Sequence, residues 1–226
     1  MLKNTSMRKC KSLAMYYLHQ KPRSNEIPTM VFHPFIERSV IAYNGKLMDI
    51  FKNPSTVDTI MAHYELRISY AKNVNEIFEL IRPEYRLLYF ASIYMYLNEY
   101  DFSKMLSYSW KSSMFPTPDS YVKAFRLLRY FRKAHKSNLM TKNELRKFEE
   151  LPEKVKIYRG ISYYNNSKIA LSWTLSKDRA ERFANRFNEA GKVVEKEVDK
   201  NTILAYFEYD EEGKKNEVII DYRIIK

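Results

Sequence analysis

Three polar residues in the last third of the chain have types that can act together in catalysis. Arg159 stands in Tyr-Arg-Gly, Ser172 opens Ser-Trp-Thr, and Glu217 begins a run of Val and Ile. A fixed guanidinium binds phosphate oxygens in a forked geometry. A carboxylate stabilises the oxocarbenium-like charge that forms when a glycosidic bond breaks, and a serine hydroxyl can hold that carboxylate in position. Together these types can serve a reaction in which positive charge develops beside a bound phosphate. Taken alone, Arg159 is more often a surface residue at a strand end, Ser172 a plain strand residue and Glu217 a solvated carboxylate beside a turn.

Other kinds of site are excluded by composition. The four glycines, Gly45, Gly160, Gly191 and Gly213, form no phosphate loop or dinucleotide fingerprint. One cysteine and four scattered histidines show no metal-ligand spacing, so we expect no metal site. No nucleophile elbow accompanies a Ser/His/Asp set.

Each of the three residues falls on or beside a predicted strand. Strands are predicted over residues 156–159, 169–174, 193–198, 202–209 and 216–224. The apolar spacing after Ser172 predicts a helix over 177–189, with Ser176 as its N-cap and Gly191 at its end.

The first two-thirds of the chain is predicted to be mainly helical, with helices over 57–71, 84–99, 120–136 and 141–150. Residues 1–35 are less regular and are expected to form a helix followed by an extended arm. The expected fold is α+β, with a helical N-terminal region packed on a small, curved β-sandwich of residues 153–226. We expect residues 1–60 to be an extension or target-binding arm, and 61–226 to be the catalytic unit. Within that unit, helices occupy 61–150 and a β-rich core 151–226.

Three short motifs in this part of the chain together resemble the ADP-ribosyltransferase superfamily. In order they are Tyr158-Arg159-Gly160, then Ser172-Trp173-Thr174 with a following helix, and then Glu217-Val218. The resemblance is to its Arg–Ser–Glu branch, specifically to compact bacterial and phage members, and it covers roughly residues 150–226. It implies a mono-ADP-ribosyltransferase that cleaves NAD⁺ to nicotinamide and transfers ADP-ribose to a macromolecule. NAD⁺ would be consumed as a substrate, and Arg159, Ser172 and Glu217 would be the catalytic residues.

The resemblance also implies roles for neighbouring residues in binding NAD⁺. Arg159 would bind the diphosphate, Gly160 would let the backbone approach the ligand, and Thr174 would support the site beside Ser172. Aromatic rings can stack on the cationic nicotinamide. The candidates for stacking are Tyr163, Tyr164, Trp173 and Phe183. Trp173 is by itself more often a core residue, and for any single tyrosine packing is the better explanation.

Two features depart from the pattern of larger or arginine-modifying relatives. Twelve residues separate Arg159 from Ser172, where larger toxins of this type have a longer insertion. Lys215 occupies the acceptor-side position two residues before Glu217, where relatives that modify arginine carry a carboxylate. A lysine is not a carboxylate base at neutral pH, which disfavours arginine modification and leaves open another amino acid, a nucleobase or a small molecule as acceptor. A shifted register that uses Glu211 or Glu212 is the less favoured alternative.

A basic stripe is predicted on the helix over 120–136. Its cations recur at intervals of three and four residues: Lys123, Arg126, Arg129, Lys133 and Lys136. Phe125, Leu128 and Phe131 are expected to face the core. Such a stripe can follow a phosphate backbone, and Tyr130 can stack on a base. A solvated helix face explains the same charges equally well.

The partners expected are a nucleic-acid or protein acceptor and a neutralising partner protein. The resemblance implies a toxin, an anti-phage effector or a phage-encoded modifier. The alternatives are a degenerate fold that binds nucleic acid through the basic helix, and an NAD glycohydrolase with water as acceptor. Cys10 is the single cysteine, and the sequence shows no signal-peptide pattern and no apolar run of ~20 residues. These features predict a cytoplasmic protein without membrane association.

Overall fold

A computed structural model describes residues 2–24, 31–43, 45–52, 54–112, 122–162, 170–186, 191–208 and 216–224. Contacts divide the chain into two compact units, Met1–Tyr121 and Val122–Lys226. The helices that precede residue 113 therefore belong to the first unit, whereas the sequence grouped those after residue 60 with the β-rich core. Arg159, Ser172 and Glu217 all lie in the second unit.

The first unit is mainly helical. Its helices are α1 (Met7–Leu18), α2 (Pro54–Tyr70), α3 (Val74–Leu80), α4 (Pro83–Ile93) and α5 (Glu99–Ser112). Among the described residues of this unit, four short strands form two antiparallel pairs: β1 (Arg23–Ser24) with β2 (Val31–Phe32), and β3 (Val40–Tyr43) with β4 (Lys46–Asp49). The helices predicted in 1–35 and over 57–71 are confirmed as α1 and α2.

The helix predicted over 84–99 is wrong in its second half. Helix α4 ends at Ile93, a 3₁₀ turn follows, and α5 begins at Glu99. The Oδ1 atom of Asn98 accepts a hydrogen bond from the backbone N–H of Asp101 at 2.8 Å, which caps the first turn of α5. Apolar spacing continues across the break, so the periodicity alone does not reveal it.

The second unit combines helices with an antiparallel sheet. Its elements are α6 (Ala124–Lys133), α7 (Lys136–Leu139), α8 (Lys142–Glu149), β5 (Lys154–Ile161), β6 (Ser172–Thr174), α9 (Lys177–Ala184), β7 (Lys192–Asp199), β8 (Ile203–Phe207) and β9 (Glu217–Ile220). The five strands are one sheet in the order β7-β5-β6-β9-β8. The predicted strands are thus confirmed with shifted ends. In the described residues they form one hydrogen-bonded sheet, where the sequence predicted a sandwich of two.

The strand order brings three distant parts of the sequence together. Strand β6 lies between β5 and β9, so Arg159, Ser172 and Glu217 lie on three adjacent strands. Thr174 is the partner of Tyr158 on one side and of Glu217 on the other. Register and strand order therefore position the candidate site.

Helix α9 covers β5 and fixes it from one side. Ser176 caps the helix by accepting a hydrogen bond from the backbone N–H of Arg179 at 3.2 Å. Ala180 and Ala184 are fully buried against the sheet. Small side chains at these two positions let the helix approach β5 closely. Within the described part of the chain, no helix has the length and apolar character to cross a membrane.

Candidate active site

The hydroxyl of Ser172 donates a short hydrogen bond to Oε1 of Glu217. Ser172 is paired with Ile219, and Glu217 with Thr174, across the β6–β9 ladder. Residues two apart on a strand share a face, so Ser172 and Glu217 are diagonal neighbours on the same face of the sheet. Glu217 is buried, whereas Ser172 is half-buried. The structure therefore brings together the serine and the carboxylate that the sequence selected.

Arg159 joins this pair through the backbone of β6. Its Nη1 donates a hydrogen bond to the carbonyl oxygen of Ser172 at 2.6 Å. Burial lowers the pKa of the Arg159 guanidinium to about 10, and the nearby Glu217 carboxylate opposes that change. The guanidinium is therefore still charged at neutral pH. A partly desolvated cation held in a fixed direction is suited to bind a phosphate.

Asn216, directly before Glu217, has a left-handed backbone with φ of 37°. Its carbonyl oxygen accepts a hydrogen bond from the backbone N–H of Leu175 at 3.0 Å, and its Oδ1 accepts one from the hydroxyl of Tyr206 at 2.7 Å. A left-handed conformation costs most L-residues about 1–2 kcal/mol, and Asn tolerates it better than most. Asn216 thus sets the direction in which the chain enters β9. Sequence reasoning missed this residue, although an Asn at a strand entry is a usable signal.

Gly160 faces a helix, so packing explains this glycine, and its approach to a ligand stays a prediction. A Cβ atom at this position would lie 2.2 Å from the carbonyl oxygen of Ala180 and 2.6 Å from the backbone nitrogen of Ala184. Both atoms belong to α9. The glycine is therefore required because α9 packs directly on β5 beside Arg159.

The predicted stacking residues have different environments. Trp173 is only 3% exposed, and its Nε1 donates to the carbonyl oxygen of Ala170 at 3.0 Å, so it is a core residue and does not stack on a ligand. Phe183 is 42% exposed on α9 and lies next to Gly160. The guanidinium carbons of Arg179 and Arg186 lie 5.2 and 6.0 Å from the centre of its ring. Phe183 therefore remains a candidate for ligand contact.

Thr174 supports the turn between β6 and α9. It is buried, and its hydroxyl oxygen accepts a hydrogen bond from the backbone N–H of Ser176 at 3.1 Å. Its role beside Ser172 is therefore to position the backbone. Tyr163, Tyr164, Lys215, Glu211 and Glu212 lie outside the described residues.

The basic stripe is shorter than predicted because its helix ends early. Helix α6 stops at Lys133, and Ala134 has an extended backbone with ψ of 142°. Lys136 belongs to α7, where its Nζ donates to the carbonyl oxygen of Ile203 at 3.2 Å and lies 4.0 Å from the centre of the Phe148 ring. Burial lowers the pKa of Lys136. Lys136 therefore packs on the sheet and is not part of the stripe.

Two aromatic residues of α6 have the opposite exposure to that predicted. Phe125, predicted to face the core, is 56% exposed. Tyr130, predicted to stack on a base, is 5% exposed and packs inward with Leu128 and Phe131. Lys123, Arg126, Arg129 and Lys133 are exposed as predicted. Arg132, not included in the predicted stripe, is also exposed and pairs with Asp221.

Comparison of the chain with protein-family models, with curated proteins and with solved structures finds no match. The functional proposal therefore depends on the motifs and on the geometry of the site. Among the described residues, no cluster of three or more His, Cys, Asp or Glu side chains is placed to hold a metal ion. The three side chains of the site offer a phosphate-binding cation, an oriented hydroxyl and a buried carboxylate.

Proposed function

We propose that the second unit is an NAD⁺-dependent mono-ADP-ribosyltransferase of the Arg–Ser–Glu type. One observation carries the proposal: a chain of hydrogen bonds runs from Arg159 through the backbone and hydroxyl of Ser172 to the carboxylate of Glu217. The three residues occupy adjacent strands, and the helix α9 follows the Ser172 strand directly. Motif order and geometry thus support the same reaction.

Glu217 has the central part in the proposed chemistry. The bond between C1′ of the ribose and the nicotinamide nitrogen breaks, and its electron pair neutralises the positive charge of nicotinamide. The oxocarbenium-like ribose that remains is stabilised by the Glu217 carboxylate. An acceptor nucleophile then forms the new bond to C1′ and releases its proton.

Arg159 and Ser172 have binding and positioning parts in this proposal. The Arg159 guanidinium binds the diphosphate of NAD⁺ and places the ribose beside Glu217. Ser172 fixes the carboxylate by its hydroxyl and the guanidinium by its carbonyl oxygen, so one residue sets the relative position of both charges. Phe183 provides an exposed ring on the same side of β5 as Gly160 for stacking.

The proposed biological role is that of a toxin, an anti-phage effector or a phage-encoded modifier, with a neutralising partner in the producing cell. This part of the proposal derives from the family resemblance of the motifs. A hydrolase that passes ADP-ribose to water is the neighbouring activity, because it requires the same bond cleavage and the same three residues.

Labelled NAD⁺ and a cell extract test the proposal directly. The wild-type protein is compared with Glu217→Gln, which keeps the shape of the side chain and can still accept the Ser172 hydrogen bond. We expect release of nicotinamide and transfer of label by the wild type only, with loss of label on protease or nuclease treatment giving the acceptor class. Nicotinamide release without transfer would indicate the hydrolase, and a folded wild type that releases no nicotinamide would refute the enzyme.

A further inference from the structure

The exposed face of α6 is almost entirely cationic. Phe125, Arg126, Arg129, Arg132 and Lys133 are exposed. Leu127, Leu128, Tyr130 and Phe131 are buried. We call these five exposed residues, together with Lys123 at the N-terminal end of the helix, the α6 basic face.

The stretch of chain that carries the α6 basic face contains no carboxylate of its own. No Asp or Glu occurs between residues 122 and 143. Lys123, Arg126 and Arg129 form no ion pair with any described residue. Like charges three or four residues apart destabilise a helix by a few tenths of a kcal/mol per pair. An anionic partner would relieve this repulsion, whereas water alone only screens it.

The α6 basic face is anchored to the strands that form the candidate site. The ring of Phe131 lies 6.3 Å from the ring of Phe207, and Phe207 is the direct partner of Glu217 in the β8–β9 ladder. Arg132 pairs with Asp221, the residue that follows β9. Helix α6 therefore packs on the strand pair that carries Glu217.

We propose that the α6 basic face binds single-stranded nucleic acid and presents it as the acceptor of ADP-ribose. The acceptor role rests on the transferase activity proposed above, whereas binding itself does not. Arg126, Arg129 and Lys133 lie within eight residues, or about 10 Å along the helix, and can contact successive phosphates.

Phe125 distinguishes nucleic acid from an acidic protein as the occupant. Phe125 is 56% exposed and directly precedes Arg126 in the chain. Binding sites for single strands combine a cationic track with exposed rings on which bases stack. An acidic peptide complements the charges equally well but has no general use for the ring.

The test measures fluorescence anisotropy of a labelled 20-nucleotide RNA of mixed sequence, with single-stranded DNA, a duplex and polyglutamate as competitors. The α6 triple variant carries Arg126→Gln, Arg129→Gln and Lys133→Gln. The control triple variant carries Lys142→Gln, Lys177→Gln and Lys192→Gln, which removes the same charge from exposed positions outside α6. A third protein carries Phe125→Ala, and Glu217→Gln serves as the catalytic control. Circular dichroism establishes that each variant is folded.

We expect the α6 triple variant to lose affinity by roughly tenfold or more, and the control triple variant to lose much less. Three phosphate contacts on a single strand give a salt slope of about −2, so raising salt from 50 to 200 mM should weaken wild-type binding by about 20-fold. Phe125→Ala should weaken it by about tenfold. Glu217→Gln should bind like the wild type.

Equal losses in both triple variants would overturn the proposal, because binding would then depend on net charge alone. If polyglutamate competes and Phe125→Ala has no effect, the proposal is overturned in favour of an acidic protein ligand. If the duplex binds more tightly than the single strand, the proposal is overturned in favour of a duplex ligand. Absence of binding at 50 mM salt would also overturn it. If binding is intact and no nicotinamide is released, the proposed enzyme and the acceptor role fail while nucleic-acid binding stands. If nicotinamide is released without binding, only the present proposal fails.

Discussion

The hydroxyl of Tyr206 donates a hydrogen bond of 2.7 Å to Oδ1 of Asn216, and Asn216 immediately precedes Glu217. Asn216 has positive φ, and its carbonyl oxygen is held by the backbone N–H of Leu175. Burial is the main cause that raises the pKa of Tyr206 to about 12, so the phenol keeps its proton at neutral pH and remains a donor. The two bonds hold Asn216 from the β8 strand and from the segment after β6. The position of the Glu217 carboxylate therefore depends on residues that do not touch the substrate in the proposed reaction.

We expect Tyr206→Phe to reduce nicotinamide release by about fivefold. Loss of this hydrogen bond costs about 1 kcal/mol, and it frees Asn216 to leave its left-handed conformation. The Michaelis constant for NAD⁺ should change little, because Arg159 is held by a different contact. Steady-state kinetics measures nicotinamide release and the Michaelis constant, and urea unfolding in parallel measures the stability of the variant.

Substitutions of Asn216 separate backbone conformation from the side-chain bond. Asn216→Gly keeps the left-handed region accessible, whereas Asn216→Val disfavours it strongly. Both substitutions remove the acceptor of the Tyr206 hydrogen bond. We expect Asn216→Gly to retain more activity than Asn216→Val, because only the glycine adopts the left-handed backbone without strain. Equal activities in the two variants would show that the backbone conformation is irrelevant to Glu217.

Gly160→Ala is expected to destabilise the protein by about 3 kcal/mol, since its Cβ would overlap two backbone atoms of α9. Backbone of a packed helix cannot move aside as the end of a side chain can. Gly45→Ala is the matched control, because that glycine has φ of 74° and open space around it. The control should cost about 1 kcal/mol from the backbone alone. Chemical denaturation of both variants measures the difference, and a larger loss at Gly45 would contradict the packing explanation.

The site residues could be predicted from the sequence because each occurs in a short local pattern. Arg159, Ser172 and Glu217 fall on strands that have recognisable β-branched and aromatic content, and the structure brings them together. Trp173 shows the limit of such patterns. Whether a residue faces a ligand or the core depends on which element packs against it, and that information is not local.

Other misses also have physical causes. The break between α4 and α5 is set by the Asn98 cap, which apolar periodicity does not register. The short hairpin of β3 and β4 was missed because its exposed strands show no strong alternation of burial. Lys136 left the predicted stripe because the helix ends at Lys133, and helix ends are set by capping and packing more than by charge spacing.

Asp221 is expected to stabilise the second unit through Arg132 and Arg223. It is 2% exposed, and hydrogen bonds from the Arg223 side chain are the main cause that lowers its pKa below 3.8. The lowered pKa means that the stabilisation is present above pH 3.8 and is lost as the pH falls below it. Both arginines are about half exposed and can rehydrate, so Asp221→Asn should cost about 1–3 kcal/mol near neutral pH.

The pH dependence tests this explanation of Asp221. The difference in unfolding free energy between the wild type and Asp221→Asn should shrink as the pH falls from 5 to about 3. Denaturant titrations of both proteins at each pH provide the measurement. A difference that stays constant below pH 3.8 would mean that the stabilisation does not come from the ionised carboxylate.

His33 should make the first unit sensitive to mild acid. Its buried ring accepts hydrogen bonds at Nδ1 from the backbone N–H groups of Phe35 and Ile36, both at 3.1 Å, and its Nε2 lies 3.0 Å from the carbonyl oxygen of Leu18. With Nδ1 as acceptor, Nε2 carries the proton. Burial lowers the pKa of His33 below 6.5. The neutral ring therefore contributes full stability above pH 6.5 and loses it as the pH falls toward the folded-state pKa.

The protection of the Phe35 and Ile36 amides against hydrogen exchange reports this effect locally. We expect protection factors in the wild type to fall between pH 6.5 and 5, whereas His33→Gln should start lower and vary less because its amide does not titrate. His63→Gln, on the exposed side of α2, is the control and should follow the wild type. Parallel curves for the wild type and His33→Gln would rule out titration of this ring as the cause.

Ser172→Ala should lower the turnover number for nicotinamide release by roughly 10- to 100-fold and leave the Michaelis constant for NAD⁺ nearly unchanged. A hydrogen bond to a charged group contributes about 1.5–3 kcal/mol, and the bond to Arg159 uses the backbone of Ser172, which the substitution keeps. Arg159→Gln should instead raise the Michaelis constant because it removes the phosphate-binding cation. Since Ser172 acts through Glu217, its substitution should have little further effect in a Glu217→Gln background. Additive losses in that double variant would show that the serine hydroxyl contributes independently of the carboxylate.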